Sequence, residues 1–377
     1  MSKKINDDTK KEIIDALKRA NGIKREAARL LGIPESTFRR RYIEATKDKS
    51  VQNLDPFIPD GQKLRGVSTL YDKNGEQIIQ WVKTNQDIER QIEVLRAASS
   101  VMMEAIPKAP INTSTPVVLD KILSQYTITD YHMGMMAWAA ETGEDWNTEI
   151  AEEFLFAWFM EAIKGAPASH TAVLAQLGDF LHYDSLMQVT PTSKHVLDTD
   201  AKYALIVQVT IRVLRRIIDA LLDKHQHVHI IMAEGNHDLA SSVWLRAMFT
   251  VLYEHEKRVT VEQGESGYYA YEWGKTSLFY HHGHKKKMKD LATVFAGMFR
   301  EMFGRTTYAY AHTGHLHHID MKENNLMVTE QHPSLSAPDA YSAKLGLISK
   351  RAASVINYHR DHGEVSRFTV RPEMVQR

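Results

Sequence analysis

HIIMAEGNHD, residues 229–238, is an apolar run that ends abruptly in glycine and three polar residues. The run has the length and composition of a buried strand. Asn236, His237 and Asp238 then bring an amide, an imidazole and a carboxylate to the end of that strand, where burial is costly unless each group is paired or binds a ligand. This segment therefore predicts a strand that ends at a functional site.

Four other apolar runs end in the same way. The five predicted strands are Ser124–Thr129, Ala172–Leu177, Val228–Ala233, Ser277–Tyr280 and Tyr308–His312. The other four runs are followed by DYH from Asp130, GDFLH from Gly178, HHGH from His281 and GHLH from Gly314. Because longer helical patterns separate the strands, the body is predicted to be α/β or α+β. Open α/β sheets bind ligands at strand ends, so the five clusters predict one site.

The clusters supply carboxylate oxygen, amide oxygen and imidazole nitrogen. This donor set suits Mn²⁺, Fe²⁺, Zn²⁺ or Co²⁺ better than Ca²⁺, which prefers oxygen alone. The clusters hold more ligands than one ion can use, whereas two ions sharing a bridging carboxylate would use them all. Two neighbouring ions stabilise both the attacking and the leaving oxygen in displacement at phosphorus, so the pattern indicates phosphoryl chemistry.

The order D-x-H, G-D-x-x-H, G-N-H-D, H-G and G-H-x-H resembles that of the calcineurin-like metallophosphoesterases over roughly residues 117–335. HPSLSAPDAYSAKLG (332–346) and TSKHVLDTD (192–200) resemble phage-associated members, and GDFLH (178–182) resembles the SbcD-type DNA-repair nucleases. The resemblance implies a two-sheet sandwich flanked by helices, with metal ions at the strand ends.

The resemblance also implies the ligand sets of two ions. The first ion would be held by Asp130, His132, Asp179 and His317. The second would be held by Asp179, Asn236, His282 and His315, so that Asp179 bridges the two. His281 competes with His282, and the family pattern of histidine before glycine favours His282. Mn²⁺ is the favoured ion.

Three further residues receive catalytic roles from the resemblance. His237 matches the histidine that donates a proton to the leaving oxygen or steadies the phosphate, and Asp238 is expected to fix its tautomer. His182 matches a histidine that assists the phosphate in SbcD-type nucleases.

The amino-terminal region is basic, although the whole chain has 47 basic and 47 acidic residues. Residues 1–50 contain 14 Lys or Arg and 8 Asp or Glu, a net charge of +6. Three short helices are predicted there, and GIKREAARLLGIPESTFRRRY resembles a Fis-type helix-turn-helix over residues 9–45. In such a motif the third helix enters the major groove, which implies DNA contacts from Thr37, Arg39, Arg40 and Arg41. The alternative is a helical module for protein interaction or dimerisation with a solvated basic face.

These patterns predict a helix-turn-helix domain at 1–48, a linker and helical connector at 49–116 with its helix at 76–106, and a metallophosphoesterase domain at 117–377. The absence of cysteine excludes disulfides, thiolate metal sites and a cysteine nucleophile, and fits a reducing compartment. With neither a secretory signal nor a long apolar segment, a cytoplasmic protein is expected, in a phage-infected bacterial cell if the phage resemblance holds.

The sequence therefore predicts a metal-dependent hydrolase of phosphodiesters, in particular a DNA nuclease targeted by its helix-turn-helix. Two alternatives stay open: a phosphatase or phosphodiesterase acting on phosphoproteins, nucleotides or cyclic nucleotides, and a DNA-binding regulator with a vestigial enzyme domain. DNA is the expected partner and no membrane is expected, while a homodimer and a separate ATPase partner are left open.

Overall fold

The computed structural model describes residues 7–20, 24–46, 62–71, 77–86, 109–185, 188–191, 196–344, 346 and 350–375. Contacts divide the chain into two compact units, one comprising residues 1–58 and 63–85 and the other residues 59–62 and 86–377. Within the described residues, no helix combines the length and the apolar character needed to cross a membrane.

Three helices make up the amino-terminal part of the first unit: α1 (Asp7–Arg19), α2 (Lys24–Leu30) and α3 (Glu35–Thr46). They enclose a small core whose fully buried members include Ile13, Ala27 and Phe38. The turn between α2 and α3 passes through Gly32, whose φ of +62° lies in the left-handed region that glycine tolerates best. The three helices predicted from the sequence are confirmed.

The same unit contains a two-stranded sheet of β1 (Gln62–Tyr71) and β2 (Gln77–Gln86). The helix predicted over residues 76–106 is therefore wrong at 77–86, and its remainder lies outside the described residues. The sequence QIIQWVKTNQ explains the outcome, since Ile, Val, Thr and Trp favour the extended backbone of a strand. The predicted linker at 49–116 likewise contains a strand, β1.

The second unit is built on a six-stranded sheet with the order β13-β12-β3-β4-β5-β6. Four of its strands run parallel to one another: β3 (Leu119–Ile128), β4 (Ser169–Gln176), β5 (His227–Met232) and β6 (Val259–Val261). A carboxyl-terminal hairpin of β12 (Ala353–His359) and β13 (Gly363–Val370) pairs antiparallel with β3.

A five-stranded sheet, ordered β10-β11-β9-β8-β7, forms the second layer. Its strands are β7 (Tyr269–Trp273), β8 (Thr276–Tyr280), β9 (Tyr308–Thr313), β10 (Asp320–Glu323) and β11 (Val328–Gln331). Strands β8, β9 and β11 are parallel to their neighbours in that group, whereas β7 and β10 pair antiparallel at the two edges.

Helices occupy the outer faces of the two sheets. They are α4 (Ala139–Thr142), α5 (Thr148–Gly165), α6 (Tyr203–Lys224), α7 (Leu239–Leu252), α8 (Met288–Met298), α9 (Arg300–Arg305) and α10 (Ala340–Lys344), and a short 3₁₀ turn (Pro372–Met374) follows β13. Side chains alternate between the layers along β4: Leu174 packs toward the helices, while Val173 and Ala175 pack between the sheets. The predicted two-sheet sandwich flanked by helices is confirmed.

Candidate metal centre

The carboxyl ends of parallel strands from both sheets meet at one edge of the sandwich. Asp130 follows β3, Asp179 follows β4 and Asn236 follows β5, while His282 follows β8 and His315 follows β9. Parallel strands place their carboxyl ends on the same side, so the five polar clusters come together although they are far apart along the chain.

The backbone at this edge is strained in a distinctive way. Among the described residues, positive φ angles outside glycine occur only at Asp130 (50°), His132 (51°), Asp179 (53°), His315 (73°) and His317 (58°). A left-handed backbone costs an L-residue about 1 kcal/mol or more, and such strain concentrates at functional sites. All five are predicted metal ligands, so the strain lies where the side chains must be aimed at a common point.

One group of ligand atoms comes from Asp130, His132 and His317, and these atoms all lie within 4.8 Å of one another. Asp130 Oδ2 accepts hydrogen bonds from the Thr129 hydroxyl at 2.6 Å and the His315 amide at 2.8 Å. Its Oδ1 is buried and accepts no hydrogen bond of normal geometry, with His317 Nε2 3.1 Å away. This unsatisfied oxygen, facing imidazole nitrogens, is suited to a divalent cation.

A second group comprises Asp179, His282 and His315, again within 4.8 Å of one another. His282 Nδ1 donates to the Leu177 carbonyl at 3.0 Å, which leaves Nε2 facing Asp179 Oδ2 at 3.0 Å. The Asn236 amide oxygen lies 3.3 Å from the same Nε2. A hydrogen bond at the far ring nitrogen is the usual means by which a protein orients a histidine ligand.

The two carboxylates of the site and the neighbouring imidazoles shift each other's pKa values. Burial alone would raise the pKa of Asp130, but His317 and His282 outweigh it and hold that pKa well below its usual value. Burial would lower the pKa of His282, yet Asp179 and Asp130 raise it to about 9. Burial, with His237 and His182 nearby, keeps the pKa of His132 well below normal, so this imidazole is neutral as metal ligation requires.

The neighbouring histidines His281 and His282 differ in position. His282 is fully buried among the ligand groups, whereas the His281 ring stacks on Tyr268 with centroids 4.5 Å apart. His281 Nδ1 accepts a hydrogen bond from the Gly283 amide at 2.8 Å. The structure thus brings His282, and not His281, to Asp179.

His237 and His182 lie beside the first ligand group. Their ring nitrogens and one of His132 lie within 4.8 Å of one another. His237 Nδ1 is 2.7 Å from the His182 carbonyl oxygen, which can only accept, so Nδ1 carries the proton and Nε2 is left free on a partly exposed ring. The His182 side chain is buried, with Nδ1 3.4 Å from His132 Nδ1, so it contacts a predicted ligand.

The tautomer role expected of Asp238 is wrong. Its Oδ1 accepts the amides of Asp179 (3.1 Å) and Gly235 (2.9 Å), and its Oδ2 accepts those of Phe180 (2.7 Å) and Leu181 (3.3 Å). Burial, together with the charge of Asp179, raises the pKa of Asp238 to about 7. Asp238 therefore holds the loop after β4 in place, while the His182 carbonyl orients His237.

Two glycines allow the ligand loops to approach closely. A Cβ at Gly235 would lie 2.0 Å from Asp179 Oδ1, and one at Gly314 would lie 1.8 Å from Thr129 Oγ1 and 2.6 Å from Asp130 Oδ2. No real side chain tolerates such distances, so any other residue at either position would displace a ligand carboxylate.

Ser334 and Ser336 were missed as contributors to the site. Both hydroxyls donate to the Asp130 carbonyl oxygen, at 2.7 and 3.1 Å, and so support the strained backbone of that ligand. The only signal in the sequence was the run HPSLSAPD, which carried a family resemblance but no indication of a contact with a residue some 200 positions earlier.

The predicted DNA-binding residues lie on α3. Arg39 and Arg40 are exposed, and Thr37 and Arg41 are partly exposed. Arg39 Nη2 forms an ion pair with Glu35 Oε1 at 2.7 Å, one helical turn away. Arg40 therefore presents the more available charge of the two exposed arginines.

The amino-terminal helices match the sequence model of a known family. Residues 10–42 match the model described as "Bacterial regulatory protein, Fis family". The predicted Fis-type helix-turn-helix is thereby confirmed over α1–α3. No curated protein matches the sequence.

Several solved structures are similar to part of the chain at low sequence identity. A conserved uncharacterized protein and predicted phosphoesterase from Streptococcus pneumoniae TIGR4 is 12% identical, with 66% of this chain and 98% of that chain covered and a TM-score of 0.29. Vps29 complexed with Zn²⁺ from Entamoeba histolytica is 14% identical (67% and 99% covered, TM-score 0.29). The phosphopantetheinyl hydrolase of Mycobacterium tuberculosis is 11% identical (60% and 93% covered, TM-score 0.25). Values this low carry no information on activity or substrate.

Proposed function

We propose that this chain is a phosphodiesterase that uses two divalent metal ions, and that its physiological substrate is DNA. The observation that carries the proposal is the convergence of the two ligand groups, with Asp130 Oδ1 buried and unsatisfied between imidazoles. One ion would be held by Asp130, His132, Asp179 and His317, and the other by Asp179, Asn236, His282 and His315. Divalent ions supply Lewis-acid chemistry in such sites, stabilising charge on phosphoryl oxygens and making water a better nucleophile.

The chain's own residues supply the proton chemistry. His237 Nε2 is free because Nδ1 is committed to the His182 carbonyl. A protonated Nε2 can donate to the leaving oxygen of a phosphodiester, which raises the rate by about 10²–10⁴-fold in comparable cases. Asp179 is fixed by its own hydrogen bond, since Oδ1 accepts the His237 amide at 2.7 Å. This bond couples the position of the bridging carboxylate to that of the proton donor.

The helix-turn-helix favours a nucleic-acid substrate. A Fis-type motif on the same chain raises the local concentration of DNA at the hydrolytic unit. Mn²⁺ is the proposed ion, because carboxylate, amide and imidazole ligands together suit it. Kinship with the SbcD-type or phage-associated branch remains a prediction, as do the division at 1–48, 49–116 and 117–377, the cytoplasmic location, a homodimer and an ATPase partner.

The test is a cleavage assay with purified protein on single- and double-stranded DNA in the presence of Mn²⁺, with EDTA as the metal-free control. His237→Ala should lower the rate by about 10²-fold or more. His255→Ala is the matched control, because His255 is an exposed histidine (63% side-chain exposure) on the turn after α7 and should leave the rate unchanged. Absence of metal-dependent cleavage of any nucleic acid would defeat the nuclease assignment.

Chromogenic esters distinguish the remaining alternatives. Hydrolysis of a bis-aryl phosphate without cleavage of DNA would support a phosphodiesterase for nucleotides or cyclic nucleotides, and preference for the mono-ester would support a phosphatase. Inactivity on every ester together with sequence-specific DNA binding would support a regulator with a vestigial enzyme domain.

A further inference from the structure

A groove of about 580 Å³ opens beside the candidate metal centre. One wall is the segment that follows β8, and the other is formed by the segment after β9 together with parts of β10 and β11. Gly283, Gly314 and His315 are among its lining residues, so the groove reaches the second ligand group. A molecule in the groove would therefore reach the metal ligands directly.

The groove is strongly cationic. Five lysines line it against one aspartate: Lys285, Lys286, Lys287, Lys289 and Lys322, with Asp320. Lys285 pairs with Glu234, which belongs to the loop after β5, and Lys322 pairs with Asp320 at 2.9 Å. Lys286, Lys287 and Lys289 are exposed and have no ion-pair partner within the described part of the chain.

The arrangement matches a chain of phosphates better than a single one. Lys286, Lys287 and Lys289 are three exposed cations lining one groove, and a nucleic-acid strand offers a phosphate to each of them, which a single phosphate does not. Each lysine that neutralises a phosphate releases condensed counterions, which is the main source of affinity in sequence-independent binding. The helix α8 begins at Met288 in the same segment, and its amino-terminal dipole adds to the positive field.

An exposed apolar side chain accompanies the positive charge. Leu316, between the ligands His315 and His317, is 58% exposed and lines the groove. A single nucleic-acid strand alternates charged phosphates with flat apolar bases, and its unstacked bases gain from apolar contacts with the protein. In a duplex those bases face each other and are not available to Leu316.

We propose that this lysine groove binds a single-stranded segment of nucleic acid and leads it to the metal centre, an inference that rests on the proposed phosphodiesterase function. The helix-turn-helix would hold duplex DNA, and the groove would hold the strand that is cut. Lys286, Lys287 and Lys289 are then positioning residues, which act on strand affinity and leave the chemistry at the ligands unchanged.

The test measures binding without catalysis. The full-length protein in EDTA is titrated against a fluorescently labelled single-stranded hexanucleotide at several KCl concentrations, and anisotropy gives the affinity. The variant Lys286→Glu/Lys287→Glu should bind at least about tenfold more weakly. The slope of log affinity against log salt should fall by about 1.4, because two phosphate contacts of about 0.7 each are lost.

The matched control is Lys164→Glu/Lys257→Glu, which changes the net charge equally. Lys164 lies in the last turn of α5 before β4, where it pairs with Glu161 at 3.7 Å, and Lys257 precedes β6. Both therefore lie at the amino-terminal edge of the six-stranded sheet, opposite the site. This control should bind the hexanucleotide as the unaltered protein does. Circular dichroism melting of both variants verifies that they are folded.

Equal affinities for the groove and control variants would overturn the inference, as would a groove variant that loses duplex affinity and keeps single-strand affinity. A small chromogenic diester with Mn²⁺ separates this result from the proposed function. The groove variant should hydrolyse it within about twofold of the unaltered protein. No hydrolysis by the unaltered protein would defeat the phosphodiesterase and leave the strand-binding result standing.

Discussion

Among the described residues of the second unit, the candidate metal centre and a second histidine–carboxylate cluster differ in what neutralises their carboxylates. In the candidate metal centre, Asp130 Oδ1 is unsatisfied and faces His317 and His282. In the other, which we call the arginine cluster (His312, Glu330, His332, Tyr358 and Arg367), the Glu330 carboxylate is bonded by both Nη atoms of Arg367. In the first cluster the carboxylates face imidazoles, whereas in the second the permanently charged Arg367 guanidinium is the internal cation.

The remaining contacts of the arginine cluster support the same distinction. His312 Nδ1 lies 2.9 Å from His332 Nε2, and Tyr358 Oη lies 3.0 Å from His312 Nε2. Burial would raise the pKa of Glu330, but His332 and the bond to Arg367 lower it to about 2. The ligand atoms of the arginine cluster also lie within 4.8 Å of one another, but they bond to other members of the cluster. None of its residues has a positive φ angle. Similar residue types thus build a candidate metal centre in one place and a structural network in the other.

The largest effect is expected from neutralising one carboxylate of each cluster, Asp179 in the candidate metal centre and Glu330 in the arginine cluster. Asp179→Asn should lower Mn²⁺-dependent hydrolysis of a small diester by about 10³-fold or more, because the bridging charge is lost. It should also abolish the rise in melting temperature on adding Mn²⁺, since that rise reflects binding to the folded state.

Glu330→Gln is the counterpart in the arginine cluster. It should retain the Mn²⁺-induced rise in melting temperature and most of the activity. Loss of that rise in Glu330→Gln, with Asp179→Asn unaffected, would reverse the assignment of the two clusters.

The second largest effect is expected from removing the Arg367 guanidinium, which should destabilise the protein. Arg367→Met leaves Glu330, with 8% side-chain exposure, without its partner, and should lower the free energy of unfolding by about 2–3 kcal/mol in urea denaturation. The expected loss is below that of a fully buried pair because Arg367 is 26% exposed. The double variant Glu330→Gln/Arg367→Met should recover part of it, and a double variant less stable than Arg367→Met would contradict this account.

A smaller effect is expected from adding one methyl group at the metal centre. Gly314→Ala should cost about 2 kcal/mol of stability and weaken Mn²⁺ binding in calorimetry, because its Cβ would overlap Thr129 and the Asp130 carboxylate. Gly297→Ala is the matched control: it lies in α8, and nothing beyond its chain neighbours and the helix's own backbone lies within 4 Å of the added Cβ. That change should stabilise the protein by about 0.5–1 kcal/mol and leave Mn²⁺ binding unaltered.

The smallest effect concerns acid sensitivity of the arginine cluster. Burial, with His332 and Arg367 adding to it against Glu330, lowers the pKa of His312 to about 3. Below pH 6.5 His312 becomes protonated in the unfolded chain but stays neutral in the folded state. Its contribution to the free energy of unfolding is therefore fully present above that pH and is lost as the pH drops toward 3. The loss for this group is about 1 kcal/mol over the first unit below pH 6.5.

His312→Gln should reduce the loss of stability between pH 6.5 and 5.5 by about 1 kcal/mol, the share of this one group, in urea denaturation at pH 7.5, 6.5 and 5.5. The groups facing His312 are His332, Glu330, Arg367, Tyr358 and Tyr280, all of which the variant retains. An unchanged slope between pH 6.5 and 5.5 would show that His312 does not carry the effect.

Local patterns predicted much of this molecule. Five apolar runs gave five strands whose bounds differ from the predicted ones by a few residues, because a buried strand needs a continuous run and a polar residue ends it. The helix-turn-helix was equally visible, since three short amphipathic segments and Gly32 suffice to define it. The candidate ligands were predicted from the same strand ends.

Other features depended on contacts that leave no local trace. The strand at Gln77–Gln86 was mistaken for helix because its mixed polarity fits either period. Asp238 was assigned to the histidine beside it in sequence, whereas its oxygens accept backbone amides, three of which belong to the loop after β4. The carboxyl-terminal hairpin and the two serines behind Asp130 were not anticipated.

The sequence alone determined which ligand types lie at the strand ends. The reason is that the periodicity of a strand and the cost of burying polar groups both act over a few residues. Only the tertiary structure decided the partner of each carboxylate: imidazoles for Asp130, backbone amides for Asp238, and an arginine 37 residues away for Glu330. The reason is that hydrogen bonds and ion pairs depend on ångström-scale distances in space, which separation along the chain does not specify.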